Sequence, residues 1–427
     1  MRITILKQMQ YSIITQIVLA IMMTSCNHNI KSLDDYIAHK TINLSETTDT
    51  SYFDFIESLS VVNLEVDSDW VYFSYPLLIA NEWGTVCIDQ DVYKMLTFGP
   101  DGKKIASRFL EGRGPGECIT IGNIFQMKDS ICIYDQAMGK INVYNFQGKF
   151  LGVLNKNTLV VADEVYPLSD GMFAGVSFYP SSTDSFPSTE QKTERKVEYV
   201  TLYDNQFKQR SHYLTLPSFY AYTSMQIGNT TSVFTYKDSL RFILPFDHHF
   251  FSFTEDSLEC QYDFVSKNAI PSEVLNRNGL DVMSTDFLIE LQKNSWAKMC
   301  SNLAETSRFI SFTYYVGGVT YKVLIDKTND KEVSITVPVS LFYSNGPEVI
   351  TTTQLWGQVI HAATTTLYSD EDYLYASMSC SLFWTLKKYE SSQDDRLRDL
   401  YNQMKTYVEG NKLYETDRFL VRIKLIK

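Results

Sequence analysis

Apolar and polar residues alternate along most of the chain in short runs, and this two-residue period is typical of β-strands. Turn residues separate the runs. In "TFGPDGKKI" and "YNFQGKFL", Gly102 and Gly148 stand where a tight hairpin needs a positive φ. Strand-rich runs with turns at this spacing predict an all-β protein.

Two insertions between the strand runs are predicted to be short helices. The segment "TDFLIELQKNSWAKM" begins at Thr285, so that either Ser284 or Thr285 would cap its N-terminus. Residues 393–409 have the period of a helix with one apolar face, formed by Leu397, Leu400, Met404 and Val408, and Gly410 follows as a stop. Residues 181–196 are rich in Ser and Thr and predict a polar loop.

Two segments repeat each other without a gap: "IDQDVYKMLTFGPDGKKI" (88–105) and "YDQAMGKINVYNFQGKFL" (134–151). The aligned residues include Asp89 with Asp135, Gln90 with Gln136 and Lys94 with Lys140. The offset of 46 residues lies at the upper edge of propeller-blade periods. Looser copies at 200–214, 239–264, 307–335 and 372–388 extend the series to six. The sequence therefore predicts a six-bladed β-propeller with short helical insertions, closed by pairing of the strand-like ends at 58–66 and 417–427.

The stretch "EGRGPGE" at 111–117 would cross from the outer strand of one blade to the inner strand of the next. Gly112, Gly114, Pro115 and Gly116 predict a structural bend, because glycine reaches φ values that other residues avoid and proline fixes φ. The P-loop and dinucleotide-binding patterns are both incomplete. Arg113 and Glu117 would pair with each other or a neighbouring blade, or else point to the channel mouth and hold a carboxylate or sugar hydroxyl.

The turns at 89–94 and 135–140 are expected on the same face of the disc as this loop, because they join the second and third strands of a blade. Asp89 and Asp135 would bond their own backbone. If a ligand binds this face, the exposed polar groups predicted to contact it are Gln90, Lys94, Gln136 and Lys140.

The sequence contains none of the local motifs that mark common catalytic or metal sites, and it predicts neither a metal nor a cofactor. H-E-x-x-H, G-x-S-x-G and the EF-hand pattern do not occur. His248 and His249 are adjacent in a strand and would point to opposite faces. A channel-mouth site assembled from several blades stays possible at this point, since no local motif would reveal it.

Cysteines outside the N-terminal segment number six: Cys87, Cys118, Cys132, Cys260, Cys300 and Cys380. An even count permits disulfides in an oxidising compartment. Three of them lie in apolar, strand-like runs, where cysteine behaves as a small buried hydrophobe. We therefore predict buried thiols, with Cys87 and Cys132 unbridged because their strands would lie in neighbouring blades.

Residues 1–25 have the features of a secretory signal: Arg2 and Lys7, then the apolar run 11–23, which is shorter than a membrane span. Small residues run directly into Cys26, so that the segment looks like a bacterial lipoprotein signal, which implies cleavage before Cys26 and lipidation of that residue. Residues 26–50 would be a tether and 51–427 a single propeller domain. The net charge of −12 makes nucleic acid a poor partner.

The chain resembles the six-bladed β-propeller lipoproteins of Gram-negative anaerobes, which are related to TolB-like and NHL-type propellers. The resemblance is carried by "SLSVVNLEV" (58–66), the D-Q-x-x-x-K hairpins, "GRGPGE" (112–117), "PFDHHFFSF" and "YDFVSKNAIP" (245–271), and the closing "DRFLVRIKLIK". It implies a fold and a cell-envelope address on either the periplasmic or the surface side. The leading hypothesis is a membrane-tethered, non-enzymatic propeller that binds a protein or saccharide of the envelope. The alternative is a channel-mouth enzyme, a lyase or hydrolase acting on glycans or lactones.

Overall fold

The structure, a computed structural model, describes most of the chain. The described residues are 36–44, 54–66, 76–156, 158–177, 196–217, 233–244, 246–255, 257–275, 277, 284–316, 319–329, 331–337, 366–381, 383, 394–414 and 417–426. The segment 1–35, which contains Cys26 and the predicted signal, and most of the Ser/Thr-rich stretch 181–196 lie outside them.

The described residues form six small sheets, and the first two described strands join sheets that are completed much later in the chain. These strands are β1 (Lys40–Asn43) and β2 (Ile56–Val61). Blade 1 contains β3 (Leu77–Asn81), β4 (Gly84–Asp89), β5 (Lys94–Phe98) and β6 (Lys104–Phe109). Blade 2 contains β7 (Ile121–Met127), β8 (Ser130–Asp135), β9 (Lys140–Asn145) and β10 (Phe150–Val153). Blade 3 contains β11 (Glu164–Pro167), β12 (Phe173–Val176), β13 (Lys196–Tyr203) and β14 (Gln209–Pro217).

The second half of the chain repeats this antiparallel order. Blade 4 contains β15 (Val233–Tyr236), β16 (Ser239–Ile243), β17 (His249–Phe253), β18 (Leu258–Val265) and, at its outer edge, β1. Blade 5 contains β19 (Ala297–Glu305), β20 (Phe309–Val316), β21 (Val319–Asp326) and β22 (Lys331–Val337). Blade 6 contains β23 (Thr366–Ser369), β24 (Tyr373–Ser379), β25 (Arg418–Leu425) and β2.

The inner strands of the six sheets form a closed ring. Each contacts the next in the order β3, β7, β11, β15, β19 and β23, and β23 contacts β3 again. Between every two adjacent blades lies one apolar cluster; Ile88 and Ile131, for example, belong to the cluster between blades 1 and 2. These clusters hold the core, because a four-stranded sheet buries both of its faces only against neighbours. The predicted six-bladed β-propeller is confirmed.

Both chain ends complete blade 6, as the sequence analysis predicts. β2 pairs antiparallel with β25, and Val61 lies opposite Val421. β2 is the outer strand of the blade. It pairs with backbone groups at the edge of β25 that would be unpaired without it. A helix packs against β2 and donates to its backbone through Arg396 Nη1, 2.7 Å from the Ile56 carbonyl oxygen.

The helices among the described residues are α1 (Ser272–Leu275), α2 (Thr285–Lys293) and α3 (Asp395–Gly410), the helix on β2. The sequence predicts α2 and α3 but not α1, and the last part of the segment predicted as helix, from Ala297 on, belongs to strand β19 instead. Ser284 caps α2, its hydroxyl accepting from the Phe287 N–H at 3.2 Å. α3 includes Gly410 and buries Leu397, Leu400, Met404 and Val408 as predicted, together with Tyr401 and Tyr407.

The propeller begins earlier in the chain than the sequence analysis assumed. Residues 40–43 lie in the range 26–50 that it assigned to the tether, yet they form β1, which pairs parallel with β18 in blade 4. Because β1 runs in the same direction as β18, the chain enters this blade from the end where β17 turns into β18. Among the described residues, no helix is long and apolar enough to cross a membrane.

The thiols of Cys87, Cys118, Cys132, Cys260 and Cys380 are free and buried, which confirms the prediction for these five residues. Burial raises the pKa of the Cys132 thiol to about 12, so that little thiolate forms at neutral pH. The side chain of Cys300 lies outside the described part of the chain.

Candidate binding site on the turn face

The repeated turns and the loop at 110–120 lie on one face of the disc, which we call the turn face. The Leu110 N–H donates to the Tyr93 carbonyl (2.7 Å), and the Gln136 N–H donates to the Thr120 carbonyl (2.8 Å). These bonds connect each turn to the loop that crosses to the next blade. The expectation that turns and loop share a face is confirmed.

The aspartates of the repeat bond the backbone of their own turns, as predicted. Asp89 Oδ1 accepts from the Asp91 N–H at 2.9 Å. Asp135 Oδ1 accepts from the Met138 N–H at 3.3 Å, and Asp135 Oδ2 accepts from the Ile119 N–H at 3.1 Å. Burial raises the pKa of Asp89, although the hydrogen bonds from the backbone N–H groups of Asp91 and Val92 oppose the rise. Both carboxylates therefore hold the turns rather than face a ligand.

The two glutamines of the repeat link each blade to the next. Gln90 Nε2 donates to the Ile121 carbonyl (3.2 Å), and Gln136 Nε2 donates to Asp163 Oδ1 (2.5 Å). Both side chains are half-buried. Gln136 also lines the cavity described below.

The lysines of the repeat are less exposed to solvent than predicted. Lys94 is buried, with its Nζ 5.3 Å from the centre of the Phe109 ring, so the expectation of an exposed group is wrong there. Lys140 is half-buried, and its Nζ lies 3.8 Å from Asp135 Oδ2. The register explains both positions, because each lysine pairs with the aspartate at the end of the preceding strand.

The loop at 111–117 is a bend held by blade 2. Gly112 has a φ of 141° and Gly116 a φ of 76°, both in the region that favours glycine. A Cβ on Gly116 would lie 2.9 Å from the Phe150 ring. The Tyr144 hydroxyl donates to the Gly116 carbonyl, and Asn142 Nδ2 donates to the Glu117 carbonyl at 3.0 Å.

The predicted pair between Arg113 and Glu117 does not form among the described residues. Glu117 instead turns back across the loop, and its Oε2 accepts from the Gly114 N–H at 2.7 Å. Glycine is favoured at position 112 by its φ of 141°, and a Cβ there would also displace the same oxygen, which lies 2.1 Å away. Arg113 is exposed and has no hydrogen-bond or ion-pair partner in the described part of the chain.

A cavity of about 600 Å³ lies between the β8–β9 turn of blade 2 and the outer strands of blade 3. Its volume falls in the range typical of ligand sites. One side is apolar and open to solvent: Met138, Leu159 and Val161 are 39%, 73% and 71% exposed. The opposite side is polar and is formed by residues of β13 and β14.

The polar side is organised around His212, which the β13–β14 register places beside Thr201. His212 Nδ1 lies 2.9 Å from Thr201 Oγ1, and His212 Nε2 lies 3.1 Å from Glu198 Oε2. His212 Nε2 also lies 2.6 Å from the Gln209 side-chain amide nitrogen, so the imidazole is held between a hydroxyl, a carboxylate and an amide. The same series of groups is used in some enzymes to activate a nucleophile, but Thr201, although it lines the cavity, is only 4% exposed.

Sequence reasoning missed this cavity. Glu198, Thr201 and His212 belong to no catalytic motif, and the strand pattern at 200–214 identifies only a blade. The pairing of Thr201 with His212 across a hairpin could have brought them together, but the register shifts within this pair of strands are not visible in the residues. The cavity also needs the 159–163 link, which no periodicity marks.

At the axis, polar groups of blades 1 to 4 are used to connect the inner strands. Asn81 Nδ2 donates to Gln126 Oε1 (2.7 Å), and Asn123 Nδ2 donates to the Val165 carbonyl (2.8 Å). The Tyr166 hydroxyl lies 3.3 Å from the Val233 carbonyl. Such bonds hold neighbouring blades together and leave these groups unavailable to a substrate.

Glu164, the first residue of inner strand β11, differs from these groups because its carboxyl has a raised pKa. It is half-buried, and burial raises the pKa of its carboxyl to about 7, although a hydrogen bond from the Tyr166 hydroxyl to Glu164 Oε2 (2.7 Å) opposes the rise. A carboxyl that titrates near neutrality can serve as a general acid. Within the described residues, no group of three or more His, Cys, Asp or Glu could hold a metal ion.

Comparison with known proteins identifies a family and a fold. A family described as Domain of unknown function (DUF4934) matches residues 39–406. The structure is similar to an exported protein of Bacteroides fragilis, with a TM-score of 0.63 at 16% identity over 91% of this chain and 99% of the other. A member of the DUF4221 family from Bacteroides vulgatus matches with a TM-score of 0.46 at 9% identity, over 86% of this chain and 98% of the other. No curated protein matches the sequence.

Proposed function

The chain belongs to the DUF4934 family, and on that premise we propose that it is an exported, lipid-anchored six-bladed propeller that binds an envelope partner without converting it. The cavity between blades 2 and 3 carries the proposal. It combines an exposed apolar side with a hydrogen-bonded polar side whose only hydroxyl next to the histidine is buried. That arrangement suits recognition, since its groups are fixed before a ligand arrives.

Anchoring at Cys26 is the second part of the proposal, and the path of β1 supports the resulting orientation. The turn face carries the connections from β18 to β19, whereas the chain enters β1 at the opposite end. A lipid attached upstream of β1 would leave the turn face and its cavity directed away from the membrane. The likeness to an exported protein at 16% identity agrees with this address.

The binding proposal is tested by screening the full chain against arrays of envelope proteins and glycans. We expect one class of partner to bind and its affinity to fall when Leu159 or Glu198 is replaced. Binding that survives both replacements would remove the cavity from the proposal. Lipidation is tested by Cys26→Ala, which should abolish incorporation of labelled palmitate and release the chain from the membrane fraction.

A channel-mouth enzyme is the second candidate, and Glu164 is the observation that favours it. Its carboxyl lies at an inner strand and can be protonated near neutral pH. An enzyme would cleave glycans or lactones, and Glu164→Gln would abolish the turnover. We place this candidate second because the hydrogen bond described for the Glu164 carboxyl comes from Tyr166 of its own blade, two residues along the same strand.

A further inference from the structure

The polar lining of the cavity between blades 2 and 3 is negatively charged. Asp163 and Glu198 both line it, while none of its described lining residues is a lysine or an arginine. Asp163 accepts a hydrogen bond from the side-chain amide of Gln136. Among the described residues, the Glu198 carboxylate contacts only His212, and the Glu198 side chain is 40% exposed. Charge complementarity therefore selects a cation and rejects an anion.

The apolar side of the cavity adds a second requirement. Leu159 and Val161 lie on the link between the blades and are largely exposed, and Met138 stands beside them on the β8–β9 turn. Removing such side chains from water is favourable in proportion to the apolar area covered. A small hydrated cation would leave them exposed, whereas a cation on an aliphatic chain would cover them.

The lining also distinguishes between the two partner classes considered above. Saccharide sites usually present an aromatic face to a sugar ring, but the aromatic ring here, Tyr203, is buried and its hydroxyl is bonded to the Val161 carbonyl at 2.9 Å. The described lining thus lacks an open ring for stacking. A protein partner fits better, because a lysine side chain combines an ammonium group with a four-carbon stem.

We propose that this cavity binds a primary ammonium group carried on an aliphatic chain, and that its source is a lysine side chain of a partner protein. The ammonium would lie against Glu198 and Asp163, and the stem would cover Leu159 and Val161. This inference rests on the proposed binding function and names the chemistry of its ligand. The net charge of −12 would attract basic partners towards the chain as a whole.

The first experiment measures binding of hexylamine, hexanol and hexanoate to the full-length protein by calorimetry at pH 7. Hexylamine should bind about tenfold more tightly than hexanol, and hexanoate should bind more weakly than both. A second arm compares the peptide acetyl-Leu-Lys-Leu-amide with its form acetylated at the lysine Nε. Tighter binding of the peptide than of hexylamine supports a lysine of a partner protein as the source, whereas equal binding would overturn that source and indicate a free amine.

Matched variants test the position of the site. Glu198→Gln should weaken hexylamine binding about fivefold, and Leu159→Ser should weaken it about threefold. Glu259→Gln and Leu151→Ser, which change exposed residues of blades 4 and 2 outside the cavity lining, should leave it unchanged. Equal affinity for hexanoate and hexylamine, or an unchanged Glu198→Gln variant, would overturn the inference.

The proposed function can fail independently. If the screened partner loses affinity for the Leu159→Ser variant while no amine binds, the cavity is a binding site and only the ammonium assignment is wrong. If amines bind as expected but no envelope partner is found, the ammonium site stands and the partner proposal is wrong.

Discussion

Replacing Glu164 with glutamine removes a carboxyl that the fold holds in an unfavourable environment. The pKa of this group is raised from 4.5 to about 7, chiefly because burial penalises the charged form. In the unfolded chain the carboxyl ionises near its ordinary pKa. Between these two values the folded state binds more protons than the unfolded state, so the free energy of unfolding falls as pH rises.

The size of the effect follows from the pKa difference. A rise from 4.5 to about 7 corresponds to about 3 kcal/mol of lost stability once the pH is above both values. Because the side chain is half-buried and water screens part of its charge, we expect about 2 kcal/mol. Glutamine keeps an acceptor for the Tyr166 hydroxyl and carries no charge. Glu164→Gln should therefore gain stability relative to the wild type as pH rises, and most of the gain should occur between pH 4.5 and 7.

The assay is equilibrium urea unfolding of both proteins at several pH values from 4 to 8, compared as a difference. Glu273→Gln, at an exposed residue of α1, controls for loss of a carboxylate at the surface. Tyr166→Phe is a second test: it removes the bond that favours the ionised form, so the wild-type decline should extend to higher pH. A stability difference that does not change with pH, or a Glu164→Gln protein that is less stable at pH 8, would refute this reasoning.

Other features of the fold make further predictions. Glu117→Ala should lower the free energy of unfolding by about 1–2 kcal/mol, because the Gly114 N–H loses its acceptor, whereas Arg113→Ala should change it by less than about 0.5 kcal/mol; chemical denaturation that ranks them in reverse would contradict this. Leu400→Ala leaves a cavity under α3 and should cost about 2–5 kcal/mol, measured in the same way. Lys322 is buried and its pKa is lowered from 10.5 to about 7, so between these values the folded state binds fewer protons than the unfolded state. Lys322→Met should therefore add about 4 kcal/mol at pH 7 and less as pH rises towards 10; an unchanged midpoint at pH 7 would count against it. The buried Cys132 thiol should react with a maleimide reagent only after denaturant is added, as peptide mass mapping would show.

The fold could be predicted from the sequence because its signals are local and repeated. The 46-residue offset between 88–105 and 134–151 corresponds in the structure to the same hairpin in blades 1 and 2, with Asp89 opposite Lys94 and Asp135 opposite Lys140. The helix caps and the apolar face of α3 are also local, and both predictions are confirmed.

The site could be predicted only in part, because exposure and pairing depend on neighbouring blades. Lys94 reads as an exposed turn residue in the sequence, but the outer strand of its own blade brings Phe109 over it. Arg113 and Glu117 read as a pair, but the sharp backbone at Gly112 and Gly114 lets the glutamate reach an N–H instead. The cavity near His212 is lined by residues from separate segments of the chain, and no sequence pattern in one segment predicts that the others lie beside it.

The pairing of β2 with β25 has a consequence for how the molecule is made. A chain that emerges N-terminus first carries β2 long before its partner exists, since Ile56 lies opposite Leu425 in the finished sheet. β1 is likewise synthesised well before β18, the strand with which it pairs. Contacts between residues so distant in sequence form slowly. Until they form, an unpaired strand can pair with a non-native strand. Synthesis must therefore reach β25 before β2 is protected, and a chain that stops before Arg418 would leave β2 unpaired.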